Sequence, residues 1–98
     1  MNAPVGTIPG QMPREQRVEA IRQRLQAAFA PSALEVVDDS HHHIGHEGAR
    51  DGRGHYRVRV VGPMFAGMTA VARHRAVYAA LDDLMQTDIH ALSIQASD

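Results

Sequence analysis

The sequence predicts an α+β sandwich, a three-stranded sheet on one side with helices on the other. Three observations carry that expectation. Val18, Ile21, Leu25 and Ala28/Phe29 recur at helical spacing. Over His55–Val61, Tyr56, Val58 and Val60 alternate with His55, Arg57 and Arg59, the period of a half-buried strand. Val71, His74, Tyr78, Leu81 and Met85 then form a second helical stripe, widened by Val77 and Leu84.

Each element follows in turn. Residues 1–13 hold Pro4, Gly6, Pro9, Gly10 and Pro13 with little to pack, and are expected as a disordered tail before a domain over 14–98. The first helix starts at Arg14, turns Arg22, Gln23, Arg24 and Gln26 mostly outward, and is stopped by Pro31. Ala33–Asp38 reads as a strand, and a polar, glycine-rich loop runs from Asp39 to Gly54. Gly62-Pro63 ends the second strand; Phe65 and Gly67 lead into the second helical region, expected to break near its start. Ile89–Ala96 closes the chain as a strand with His90, Leu92 and Ile94 on one face.

Composition narrows the function classes. Ninety-eight residues make one small domain, and a formal net charge of −1 gives no global attraction to nucleic acid or an anionic membrane. The chain has no cysteine, which removes disulfides, thiolate catalysis and any all-cysteine metal site, and fits a reducing, cytoplasmic setting. No run of about 18 apolar residues predicts a membrane span, and the first residues do not read as a secretory signal. Against this plain background stand seven histidines, four of them in His41-His42-His43-Ile44-Gly45-His46. Imidazole ligates borderline metals and titrates near neutral pH, so this loop is where chemistry is expected.

Several motifs form a pattern in order: Asp38-Asp39-Ser40 at the loop start, His55-Tyr56-Arg57-Val58 opening a strand and Phe65-Ala66-Gly67 before the helix. Arg73-His74-Arg75-Ala76-Val77-Tyr78 within the helix and Ile89-His90-Ala91-Leu92 at the last strand complete it. Together they resemble the BolA family over roughly Arg14 to Ala96. The resemblance implies a class II KH-like fold, helix–strand–strand–helix–helix–strand, with a mixed sheet. It also implies partnership with a monothiol glutaredoxin around a [2Fe–2S] cluster, in which the glutaredoxin and glutathione each supply a thiolate. This chain's share, by the same resemblance, is His90 at the start of the last strand and a loop histidine. Counted from Asp38-Asp39-Ser40 that residue is His43, with His46 next. The second theme the family carries is bacterial stress and cell-shape regulation with DNA binding. Alone, the protein is expected as a monomer or weak homodimer.

The chemistry agrees with a shared site. Two imidazoles can replace two thiolates on one iron of a [2Fe–2S] centre. A chain without cysteine needs thiolates from elsewhere, and the loop can reach His90 only if both lie at one end of the sheet. Other histidines have blander expectations. His74, between Val71 and Tyr78, reads as a hydrogen-bonded structural residue, and His55 is expected to pin the far end of the loop. His90, sharing a face with Leu92 and Ile94, also suits a partly buried structural role.

Two further readings stay open. Nucleic acid would use Arg73 and Arg75, or Arg57 and Arg59, provided they share a surface. The Gly-x-x-Gly clamp of KH domains has no counterpart between two helices: Gly45-His46-Glu47-Gly48 falls in the strand–strand loop, and stacking aromatics are few. A zinc site of loop histidines with Glu47 or Asp51 behind it is the other. No catalytic triad order or phosphate loop is evident, so no enzyme is expected.

Overall fold

The computed structural model of the protein describes residues 13–40 and 54–98. The expected tail, apart from Pro13, lies outside the described residues, as do His41, His42, His43, His46, Glu47 and Asp51.

Helix α1 spans Arg14–Phe29. Its second position is Glu15, an acidic residue where the helix dipole favours one. It ends because Ala30 turns left-handed, at φ 43°, while its N–H closes on the Gln26 carbonyl, and Pro31 cannot continue the ladder. The chain then enters β1, Ala33–Asp38. Both the N–H and the hydroxyl of Ser32 bond the Val61 carbonyl, at 2.8 and 3.0 Å, fixing where β1 meets β2. Strand β2 is Gly54–Val61 and β3 is Ile89–Ser97. The sheet order is β1-β2-β3, with β2 antiparallel to β1 and parallel to β3.

Strand β2 is central, and its alternation is realised as expected. Tyr56, Val58 and Val60 are buried against the helices, while Arg57 and Arg59 are exposed on the open face. Ile21 and Leu25 of α1 meet them, and Phe29 leans its ring on Phe65 at 5.0 Å between centroids. Each fully buried aliphatic or aromatic side chain contributes roughly 1.5–3 kcal/mol relative to exposure.

The second helical region departs from expectation in two ways. It is preceded by a 3-10 turn, Pro63–Phe65, and by Gly67 at φ 78°, a backbone angle that favours glycine. The Thr69 hydroxyl then accepts the Ala72 N–H at 3.0 Å and starts α2, Ala70–Leu81. The break falls near the far end, at Asp82 (φ 47°), before the short α3, Leu84–Thr87. The second departure is rotational. Val77, Leu81 and Leu84 face the core, whereas Val71 and Tyr78 are 59% and 42% exposed. His74 is exposed with them, so it is not the packed structural histidine its spacing suggested. Alanines at 70, 72, 76, 79 and 80 leave no face of α2 distinctly polar, and larger core-filling residues set its phase. Among the described residues no helix is long and apolar enough to cross a membrane.

Candidate metal centre

The strand directions decide which chain segments share one end of the sandwich. With β2 antiparallel to β1 and parallel to β3, the end of β1, the start of β2 and the start of β3 share one edge of the sandwich. The roots of the histidine loop are clasped there. The Asp39 N–H donates to the His55 carbonyl at 2.8 Å, the His55 N–H donates to the Ser40 hydroxyl at 3.0 Å, and the Ser40 N–H donates to Asp38 Oδ1 at 2.8 Å. The loop therefore returns beside Ile89, next to His90, and its outgoing root on β1 lies one strand further across the same end of the sheet. His43 and His46 themselves lie outside the described residues.

His90 does not share the face of Leu92 and Ile94. In the parallel ladder Gly54 pairs with Ile89 but His55 pairs with Ala91, so β3 carries one surplus residue, His90. A bulge of this kind leaves its residue outside the ladder and bends the strand. Ile89 is buried, the inner face resumes at Leu92, Ile94 and Ala96, and His90 is exposed between them. The expectation of a partly buried structural histidine is thereby corrected. The residue is exposed at the start of β3.

What holds this irregular joint is a buried polar cluster that the sequence did not announce. Arg17 and Asp88 are each 6% exposed, and Arg17 Nε meets Asp88 Oδ1 at 3.3 Å. The Thr87 hydroxyl donates to Asp88 Oδ2 at 2.7 Å, and the Asp88 carbonyl accepts the Gly54 N–H at 3.0 Å. One residue before Ile89, the chain is thus tied to α1, α3 and β2 at once. The available signal was Arg17 itself: at i−4 from Ile21 it lies on the apolar stripe, where an arginine needs a carboxylate. Beside this cluster, burial pushes the Tyr56 hydroxyl up from its ordinary value, and the Arg17 guanidinium offsets part of that. Gly54 is required for space, since a Cβ there would lie 2.7 Å from the Tyr56 ring and 2.8 Å from Ser40 Oγ.

His55 secures the loop root, as expected. Its backbone N–H and carbonyl make the bonds to Ser40 and Asp39, and its ring lies against His90 with centroids 5.2 Å apart and planes at 53°. An open cleft of about 220 Å³ adjoins His55, lined by Asp39, His55, Tyr56, Ala91, Leu92 and Ser93.

A family profile described as BolA-like protein matches residues 25–98. The chain belongs to the BolA family. An uncharacterized protein of the cobS 5′ region in Sinorhizobium sp. is 46% identical over 79 residues, covering 79% of this chain and 85% of that one. The DNA-binding transcriptional regulator BolA of Escherichia coli strain K12 is 38% identical over 76 residues, 78% of this chain and 70% of its own. The solved BolA domain of SufE1 from Arabidopsis thaliana superposes with a TM-score of 0.74 at 40% identity, over 83% of this chain and 90% of that domain. Of the whole SufE-like protein 1 the chain spans 22%. The α+β, mixed-sheet architecture expected from the sequence is thus a BolA fold.

Within this BolA fold the arginines of the nucleic-acid reading separate. Arg73 is engaged: its Nε donates to the Met68 carbonyl at 3.1 Å, its Nη1 to the Ala96 carbonyl at 3.1 Å, and its Nη2 lies 3.7 Å from Asp98. Arg75 is exposed on α2. Arg57 and Arg59 lie on the open sheet face, across the sandwich from the helix layer, and Arg57 contacts Asp39 at 3.4 Å. The pairs do not form one basic surface.

The donor chemistry fits a shared cluster. Among the described residues no three histidine, aspartate or glutamate side chains converge on one point. The chain offers imidazole from an exposed bulge, with the loop roots at the same edge, and no thiolate of its own.

Proposed function

We propose that this BolA-family chain is a non-enzymatic cytoplasmic adaptor that binds a monothiol glutaredoxin and completes the ligand shell of a [2Fe–2S] cluster. His90 supplies one imidazole and His43, or else His46, the second; the partner and glutathione supply the thiolates. Its role is iron–sulfur trafficking or iron and redox sensing. The observation that carries this reading is the common edge: the histidine loop is rooted beside the bulge that exposes His90. Imidazole ligation raises the potential relative to an all-thiolate shell, which suits transfer or sensing.

The test mixes the protein with a cluster-loaded monothiol glutaredoxin and follows the visible spectrum and the hydrodynamic size. A heterodimer with an altered spectrum is expected, and His90→Ala removes the alteration. An unaltered change in that variant would refute the assignment.

The alternative, a DNA-binding regulator, is favoured by the name of the Escherichia coli relative. Arg75 is its available contact, since Arg73 already bonds backbone carbonyls. This reading expects sequence preference together with a steep fall of affinity with salt. Salt sensitivity without preference would speak against it.

A further inference from the structure

We infer that His55 is a positioning residue of the candidate centre, whose ring fixes the imidazole of His90 in the orientation that ligates. This rests on the proposed function, and it concerns a residue outside the expected ligand set.

The two histidines are held differently. As the surplus residue of a bulge, His90 stands outside the β2–β3 ladder. His55 is held closely: its N–H and carbonyl are both bonded across to Ser40 and Asp39, and it is registered with Ala91 on β3. It is half-buried, while Arg57 and Arg59 on the same strand face are exposed. The fixed ring lies 5.2 Å from the His90 ring at 53°. A ring anchored on the central strand therefore forms a wall beside the His90 imidazole.

Neighbours of this kind govern how well a ligand performs. An exposed side chain must surrender rotamer freedom to bind, and a group that restricts it beforehand raises affinity. Losing the hydrogen-bonded outer-shell partner of a metal-bound histidine commonly costs 10–100-fold in affinity, and a steric neighbour is expected at the low end of that range, about ten-fold. Here the restriction is steric, so a flat ring of another kind should replace much of it.

The experiment uses the complex with cluster-loaded monothiol glutaredoxin and glutathione, comparing His55→Ala and His55→Phe with the parent and with His90→Ala. The first readout is the rate of cluster loss to a chelator; the second is the visible circular dichroism. The third, in the free protein, is the NMR shift of the His90 ring protons. His55→Ala should lose cluster about ten-fold faster, keep the parent's dichroic signature because the ligands are intact, and move the His90 ring protons. His55→Phe should restore the slower loss. Unchanged loss and unchanged His90 shifts in His55→Ala would overturn the inference. So would a dichroic signature abolished as in His90→Ala, which would make His55 a ligand, or a His55→Phe variant no better than alanine. If His90→Ala itself leaves the signature intact, it is the proposed function that fails. Backbone amide spectra of the free variants separate these outcomes from misfolding.

Discussion

The two ends of the sheet are both finished by an arginine, in opposite styles. At the His90 end, Arg17 is buried and meets a carboxylate, Asp88, from 71 residues away. At the other end Arg73 is partly exposed and bonds the Met68 and Ala96 carbonyls, while Gly62 pairs with Ser97 as the ladder runs out regularly. A regular strand end needs only its last carbonyls satisfied. A strand that begins with a surplus residue needs its backbone pinned immediately before the irregularity, and Asp88 does this through both carboxylate oxygens and its own carbonyl.

The sharpest test of that contrast is Asp88→Ala. It leaves the Arg17 charge buried without its carboxylate and is expected to cost about 3 kcal/mol, a fall of well over 10 °C or so in melting temperature for a domain this small. Gly54→Ala comes next. The new methyl meets Tyr56 and Ser40 under 3 Å, and the expected cost is about 2 kcal/mol, with the largest amide shifts at the loop roots. Arg73→Ala should cost less, about 1 kcal/mol, as its partners are carbonyls near solvent. Denaturant titration ranks the three; equal losses for Arg73→Ala and Asp88→Ala would erase the distinction between the ends.

The smallest effect is one of pH. In the folded chain the buried Tyr56 phenol holds its proton more tightly than in the unfolded chain. That stability is fully present below the unfolded tyrosine value of about 10 and is lost as pH rises through the higher folded value. The chain has ten arginines, no lysine and no cysteine, so few other groups titrate there. Melts between pH 8 and about 11 should decline in the parent and less steeply in Tyr56→Phe.

What the sequence made legible was whatever a short window contains. β1 and β2 could be placed within a residue because alternation along a central strand is local, and α1 because its apolar spacing is clean. The rotation of α2 was not legible: its alanines make every face acceptable, so Val71, His74 and Tyr78 seemed a core stripe although they face outward. The exposure of His90 was hidden because a bulge arises from the pairing of two strands, not from either alone. Arg17 and Asp88 were hidden by their separation. His90 as a candidate ligand was legible through family resemblance, while the ring contact with His55 emerged only in three dimensions.

The surplus residue in β3 also separates the fold from the candidate chemistry. An indel within a strand ordinarily transfers every later side chain to the wrong face. Here the opposite holds at one position. Excising His90 would join Ile89 directly to Ala91 and leave a ladder of unbroken parity, with Leu92, Ile94 and Ala96 still turned inward. The donor is thus an appendage spliced into an otherwise complete strand, and a single-codon deletion could remove it while the domain around it persists.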